Sequence, residues 1–94
     1  MFTYVSFFEL TPEGREKLPL APEHFEKITK IIEKEHGVLD KWYALMGPWD
    51  FFAITEFPDN EKALRALGQI GRLKYLKTET FPIEEVDVFL KTFV

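Results

Sequence analysis

The sequence contains no cysteine, which excludes disulfide bonds, thiolate metal ligands and a thiol nucleophile. It has no Lys/Arg cluster, and its net charge is -4, so the electrostatic footprint of a nucleic-acid binder is missing. No apolar run approaches the roughly 18 residues that a membrane helix needs, and no basic-then-apolar leader precedes the first predicted strand. We therefore expect a cytoplasmic protein with neither nucleic-acid nor membrane partners.

Amide side chains are almost missing as well, since Asn60 and Gln69 are the only two, whereas charged residues make up 30% of the chain. This bias is typical of proteins from thermophilic sources. What the chain does have is apolar material: 46% of its 94 residues are hydrophobic and ten are phenylalanine. That is enough to fold, and the length predicts one domain, residues 1–94.

The first half of the chain predicts a strand and a helix. Residues 2–10 mix aromatic and β-branched residues without helical periodicity and stop at a Thr-Pro-Glu-Gly turn, which is typical of a strand. Pro22 suits a first helical turn, and apolar residues then follow at helical spacing, which predicts a helix over 22–36. We expect Gly37 to end this helix in the left-handed conformation that glycine adopts cheaply.

The second half predicts a hairpin, a helix, a fourth strand and a last helix. Two β-type runs, 38–46 and 50–57, flank a short Gly-Pro-Trp link and form the hairpin. Asp59 can cap a helix that ends at Gly71, a strand over 73–81 follows, and a C-terminal helix begins after Pro82. The order β-α-β-β-α-β predicts an α+β, ferredoxin-like fold, with both long helices on one face of a four-stranded antiparallel sheet.

The strands are apolar on both faces of this predicted sheet. In the first strand Tyr4 and Phe8 stand at one parity and Val5 and Phe7 at the other, whereas a sheet wetted on one side should alternate. Aromatic side chains left in water would form a patch larger than a monomer usually exposes. We therefore predict a homodimer packed sheet to sheet, of the dimeric α/β-barrel type, or a ring of such dimers.

The Gly47-Pro48-Trp49-Asp50 turn is the first candidate site. If the turn is purely structural, Asp50 accepts a hydrogen bond from a backbone N–H and Trp49 packs on a neighbouring side chain. If the turn is part of a binding site, Trp49 forms an aromatic wall and Asp50 a hydrogen-bond acceptor at the mouth of a cleft. The two interpretations are compatible. Together with Trp42 and Tyr43 these residues predict a site for a small apolar or aromatic ligand.

The titratable residues give weaker candidates. His24 and His36 lie about 18 Å apart along one predicted helix, so they cannot share a metal ion within a subunit. We expect His36 to interact favourably with the dipole at the helix C-terminus. We expect His24 to lie on a solvated, charged first turn, and the alternative for His24 is an acid/base role. The sequence indicates neither a metal site nor a cofactor.

Carboxylates form the remaining candidates. Glu84 and Glu85 are adjacent, about 100° apart around a helix, and are expected to favour its N-terminus rather than to act as a catalytic pair. Glu9 and Glu56 stand within aromatic strands. We expect them at solvated strand ends or, if buried, paired with a cation at Lys41, Lys74, Lys77 or Arg72.

Several of these residues also carry a resemblance to a known family. Thr11 and Gly14 after the first strand, Trp42, then Gly47, Trp49 and Asp50, and finally Pro58 and Asp59 resemble the pattern of the GYD domain family over nearly the whole chain. Trp49 stands where that family usually has tyrosine. The resemblance implies a ferredoxin-like α+β fold and no assigned reaction. The hairpin is also similar to that of the effector-binding domains of Lrp/AsnC regulators, here without a helix-turn-helix half, which implies a stand-alone ligand sensor.

Three functional hypotheses follow from the sequence. The first is an oligomeric binding or assembly module, with itself as partner and a small ligand near the four aromatic-turn residues. The second is a small, cofactor-poor, monooxygenase-like enzyme of the dimeric α/β-barrel kind, which uses Asp50 or His24 as acid/base group in an aromatic cleft. The third is a structural oligomer in which Glu9 and Glu56 set the register of the subunits through ion pairs.

Overall fold

The order of strands and helices confirms the ferredoxin-like α+β prediction. The computed structural model describes residues 1–94, and its strands are β1 (Phe2–Leu10), β2 (Val38–Ala44), β3 (Phe51–Phe57) and β4 (Leu76–Ile83). Its helices are α1 (Pro12–Glu16), α2 (Ala21–Lys34), α3 (Asn60–Arg72) and α4 (Val86–Leu90), with short 3₁₀ helices at Leu18–Leu20 and Lys91–Phe93. The strands form one antiparallel sheet in the order β2-β3-β1-β4.

The core lies between one face of this sheet and helices α2 and α3. Residues of even number in β1 and of odd number in β3 point to the helices, because side chains alternate along a strand. The pairs Tyr4–Thr55 and Ser6–Ala53 mark this face in the β1–β3 register, and all four residues are buried. The helices contribute mainly small and branched residues to the core: Ile28, Ile32, Ala63, Ala66 and Ile70.

A short helix stands where the sequence predicted only a turn after β1. Helix α1 begins because the Thr11 hydroxyl accepts a hydrogen bond from Gly14 N at 3.0 Å and Pro12 occupies the first turn. Gly14 then allows a close approach: a Cβ there would lie 2.2 Å from the carbonyl oxygen of Tyr75. The glycine at this position is therefore required by packing against the segment before β4.

The prediction that Gly37 ends α2 in the left-handed conformation was wrong, because the left-handed residue there is His36, with φ 63°. Helix α3 ends at Arg72, one residue beyond the predicted Gly71, and the left-handed residue that follows it is Lys74, with φ 65°. Gly37 is needed for a different reason, because a Cβ at this position would lie 2.6 Å from the Phe57 ring. Tertiary contact, and not backbone conformation, therefore fixes glycine at position 37.

Residues 84–94, here called the C-terminal arm, project from the domain. The predicted C-terminal helix is confined to α4 and the following 3₁₀ turn, and every residue of the arm is exposed. The Cα radius of gyration is 14.1 Å, whereas about 12 Å is expected for a compact chain of this length. No helix of the structure has the length and hydropathy required to cross a membrane.

Candidate functional site

The face of the sheet away from α2 and α3 has no cover in this chain, and we call it the open face. Its register is given by the pairs Val5–Ile54 and Phe7–Phe52, which alternate with the buried pairs of the core. β2 and β4 extend the face on either side, since Tyr43 lies opposite Phe52 and Phe81 opposite Val5. The apolar side chains of the open face are therefore those of Val5, Phe7, Tyr43, Phe52, Ile54 and Phe81, to which the hairpin adds Trp49. The face also carries Glu79, opposite Phe7, and Glu56.

Aromatic rings form a continuous cluster on this open face. The Phe7 ring is central, with ring centroids 5.9 Å from Trp49, 6.2 Å from Phe52 and 6.4 Å from Phe81. Tyr43 stacks on Phe52 at 4.8 Å with an interplanar angle of 18°. Tyr43 is 43% exposed and Phe81 48%, so the cluster meets solvent at both edge strands.

Asp50 fastens the hairpin to the end of β1. Its Oδ2 accepts a hydrogen bond from Leu10 N at 2.8 Å and an ion pair from the Arg15 guanidinium at 3.3 Å. Its own backbone N donates to the Phe8 carbonyl at 2.8 Å. Asp50 thus bonds a backbone N–H and Trp49 packs on Phe7, as the structural-turn interpretation predicted. This carboxylate joins two parts of the fold.

Trp42 lies on the opposite side of the sheet from Tyr43. Its ring stacks on Phe25 at 5.0 Å and contacts Phe8 at 4.9 Å, within the core beneath α2. The indole Nε1 is buried without a hydrogen-bond partner. The four residues predicted to share one ligand site are therefore divided: Tyr43 and Trp49 lie on the open face, Trp42 in the core, and Asp50 at the end of β1.

His24 is buried, so the prediction of a solvated first turn was wrong for this side chain. Its ring is 6% exposed and stacks on Tyr75 at 3.6 Å with an interplanar angle of 7°. The Lys17 ammonium lies 5.9 Å above the Tyr75 ring. The segment before β4 closes over this helix end, a contact that helical periodicity alone does not reveal. His36, by contrast, is exposed at the end of α2.

Two carboxyl groups meet at the margin of the open face. A break in the β2–β3 register between Leu39 and Lys41 turns Asp40 toward Glu56. The hydrogen bond with Asp40 and the repulsion between the two charges raise the pKa of Glu56. Neither Glu56 nor Glu9 takes part in any of the three ion pairs of the structure, although Glu9 lies opposite Lys77.

A groove between α3 and β4 was not predicted from the sequence. It has a volume of about 260 Å³ and is lined chiefly by Tyr4, Leu64, Leu67 and Pro82. The Tyr4 hydroxyl donates to the side-chain oxygen of Asn60, and burial, with the charge of Asp59, raises the pKa of Tyr4. The sequence placed Leu64 on the apolar face of this helix, whereas in the structure Leu64 is 68% exposed beside the buried stripe of α3.

The site residues predicted from the sequence do not line any cavity of the structure. None of the four cavities is lined by His24, Trp42, Tyr43, Trp49 or Asp50. No group of three or more His, Asp or Glu side chains is placed to hold a metal ion. The open face is thus a broad surface rather than a pocket, and surfaces of this form suit contacts with another protein.

Four residues that carry the family resemblance serve the fold. Thr11 caps α1, Gly14 admits Tyr75, and Asp50 joins the hairpin to β1. Asp59 caps α3 by accepting a hydrogen bond from Lys62 N at 2.8 Å. Trp49, where the family usually has tyrosine, is the motif residue whose ring lies on the open face.

Comparisons with known proteins agree with this architecture. The family model described as the GYD domain matches residues 4–92. The chain is 30% identical over 95 residues to the "Glutamine synthetase and cystathionine beta-lyase binding protein" of Thermus thermophilus, covering 97% of this chain and 100% of that protein.

Solved structures of lower identity share the fold. The crystal structure of FFRP-DM1 superposes with a TM-score of 0.63 at 14% identity, covering 89% of this chain and 100% of that one. Ribosomal protein S6 of Thermotoga maritima gives a TM-score of 0.54 at 22% identity, covering 98% and 94%. At these identities the likeness concerns the ferredoxin-like sheet and helices alone.

Proposed function

We propose that this chain, which belongs to the GYD domain family, is a protein-binding module that pairs with a second copy of itself through the open face. The observation that carries the proposal is the uncovered aromatic cluster around Phe7. Each large apolar side chain transferred from water into an interface contributes about 1.5–3 kcal/mol. Two open faces packed together would remove the cluster from water in both copies.

The relative from Thermus thermophilus supports a protein partner. As its name states, that protein binds two enzymes, glutamine synthetase and cystathionine β-lyase. Because this chain aligns with that relative over 97% of its length, it is suited to the same kind of contact, through the surface that the pairing of open faces leaves exposed. We therefore extend the proposal to enzyme partners of this kind, bound by the assembled module.

The small-ligand and enzyme hypotheses have less support. A binding pocket for a small molecule buries most of its ligand, and the four predicted site residues line no cavity. The Asp50 carboxylate already accepts hydrogen bonds from Leu10 and Arg15, and His24 is stacked against Tyr75. A general acid or base must reach the proton it transfers, and both side chains are engaged in holding the fold.

The proposal is tested by a pair of substitutions with matched exposure. Phe81 on the open face and Leu18 before α2 are both 48% exposed. Phe81→Glu places a charge in the proposed interface of each copy, and we expect the dimer dissociation constant to rise at least about 100-fold. Leu18→Glu should leave it within about threefold. Sedimentation velocity across a dilution series measures both values.

An unmodified chain that sediments as a monomer at all accessible concentrations would refute the pairing. Equal dissociation constants for Phe81→Glu and Leu18→Glu would place the interface elsewhere. Enzyme partners are tested separately, by biolayer interferometry of the immobilised chain against purified glutamine synthetase and cystathionine β-lyase. We expect binding by the unmodified chain and its loss in the Phe81→Glu variant.

A further inference from the structure

The C-terminal arm carries apolar side chains with nothing beneath them. Phe89 and Phe93 pack edge to face at 5.2 Å, yet they are 49% and 71% exposed. Three aliphatic residues of α4 are also largely exposed: Val86, Val88 and Leu90. Eight consecutive residues therefore hold a helical and 3₁₀ conformation that the rest of the chain does not support. Such a short helix is marginal in water without a packing partner.

The groove between α3 and β4 is an apolar surface of matching size. Its volume of about 260 Å³ accommodates a phenylalanine side chain, and Leu64 and Leu67 line its helix side. The arm and the groove also differ in charge. Residues 84–94 carry three carboxylates and one ammonium, whereas α3 carries three cationic side chains against Glu61 and the capping Asp59.

The arm does not reach the groove of its own chain. Pro82, which lines the groove, lies just before the arm, so the chain would have to reverse direction at Glu84 and Glu85. Glu85 is instead extended, with φ −61° and ψ 138°, and the arm continues away from the sheet. None of residues 86–94 lines the groove.

A second copy on the open face would bring another groove within reach. β4 is an edge strand, so an arm leaving its end passes the margin of the sheet. Stacked sheets lie about 10 Å apart, whereas the arm from Ile83 to Phe93, extended to Glu85 and helical beyond it, spans about 20–25 Å. The arm is therefore long enough to pass around the edge of a stacked copy to its helix layer.

The open face alone is smaller than the area that a stable interface buries on each partner. Four strands about 4.8 Å apart and about eight residues long give the open face a flat footprint of about 500 Å². Stable interfaces bury about 800 Å² on each partner. The apolar side chains of the arm can supply much of the difference, provided that they dock on the same partner.

From these observations we infer that the C-terminal arm clasps a second copy of the chain by placing Phe89 and Phe93 in that copy's groove between α3 and β4. The inference rests on the proposed pairing of open faces, because that pairing brings the partner's groove within reach. It adds a second, reciprocal contact, in which each copy gives an arm and receives one.

The absence of cysteine permits a direct test by disulfide trapping. One preparation carries Phe93→Cys, and a second, with an affinity tag that changes its mass, carries Leu64→Cys. After mixing and mild oxidation, we expect a mixed disulfide dimer on non-reducing electrophoresis. Its yield should be at least about tenfold above that obtained when Leu18→Cys, a control at another exposed leucine outside the groove, replaces Leu64→Cys.

Two outcomes of the trapping would overturn the inference. The first is a yield no greater than the Leu18→Cys control. The second is obtained with both substitutions in one chain: a disulfide formed at monomer mass, at a yield independent of protein concentration, would show that the arm folds back on its own groove.

Sedimentation separates a failure of the arm from a failure of the pairing. If the unmodified chain is a dimer that Phe81→Glu dissociates, but no mixed disulfide forms, the open-face pairing stands and the arm inference fails. If the unmodified chain is a monomer, both fail. Where the inference holds, Phe93→Ser should raise the dimer dissociation constant about tenfold or more, with an unchanged circular dichroism spectrum, because the arm supports no other part of the fold.

Discussion

The two faces of the sheet are built from alternate residues of the same strands, yet they differ in what covers them. Phe8 points to the helices and is 2% exposed, among Ala53, Trp42 and the residues of α2. Its neighbour Phe7 points the other way and is covered only by other rings of the open face. Large aromatic side chains therefore occur on both faces, and the presence of a helix layer distinguishes them.

The residues that accompany the rings explain this difference. The helix face meets small residues, Ala63 and Ala66 of α3, which let a helix approach the sheet closely. No helix packs on the open face. Its large rings lie side by side, with ring centroids 4.8 to 6.4 Å apart. The chain itself covers one face with α2 and α3 and leaves the other face uncovered.

The largest expected effect separates the faces through adjacent residues. Phe8→Ala should lower the free energy of unfolding by about 3–5 kcal/mol, because it leaves a cavity in a packed core. Phe7→Ala should cost less than half as much under dilute conditions, where no second copy covers the face. Urea unfolding at low and high protein concentration measures both.

The concentration series is the control for this pair. At high concentration the cost of Phe7→Ala should approach that of Phe8→Ala, because the unmodified chain then gains stability from its partner. Equal costs for the two variants at every concentration would mean that the two faces do not differ in cover.

A smaller effect tests whether Asp50 belongs to the fold or to the binding surface. Asp50→Ala leaves Leu10 N without its acceptor and should lower the free energy of unfolding by about 1–3 kcal/mol. Arg15→Gln removes only an exposed ion pair and should cost about 0–1 kcal/mol. In both variants the dimer dissociation constant should change by less than about threefold. A large loss of association without a loss of stability would assign Asp50 to the open face instead.

The smallest effect concerns the carboxyl pair at the margin of the open face. The pKa of Glu56 is raised in the folded chain by Asp40, so the folded state binds more protons than the unfolded state above the ordinary value of 4.5. Stability should therefore fall as the pH rises from 4.5 through the raised pKa of Glu56. Glu56→Gln should remove this slope and raise stability at pH 7 relative to the unmodified chain.

Urea unfolding at pH 4.5 and pH 7 measures this slope, with Glu79→Gln as a control on the same face. A slope that persists unchanged in the Glu56→Gln variant would exclude the pair as its source. The same variant tests the hypothesis that Glu56 sets the subunit register, since that hypothesis requires a change in assembly and the Asp40 contact alone does not.

The sequence predicted the sheet and the two long helices because their patterns are local. Runs of aromatic and β-branched residues without helical periodicity predicted β1 and β3, and the stripe from Ala63 to Ile70 predicted α3. The errors lie where distant parts of the chain meet. Gly37 is fixed by Phe57, and the burial of His24 depends on Tyr75, and neither partner is close in sequence.

The candidate site was predictable only in part for the same reason. The excess of aromatic residues on both parities identified a second apolar face, and the turn chemistry identified the Asp50 contact. The division of Trp42 from Tyr43 requires the strand register. The groove beside Leu64 requires the distance between α3 and β4, which no pattern within either element contains.

The Asp50 contact shows that a residue of the family motif can serve the fold rather than binding. Thr11, Gly14, Asp50 and Asp59 hold loops and helix ends in place, so the residues by which the chain resembles its family record how it is built. These four residues do not indicate which partners the chain binds. A search by this signature therefore finds proteins of one architecture. Under the proposals made above, their binding partners depend on other side chains, those of the open face and the arm.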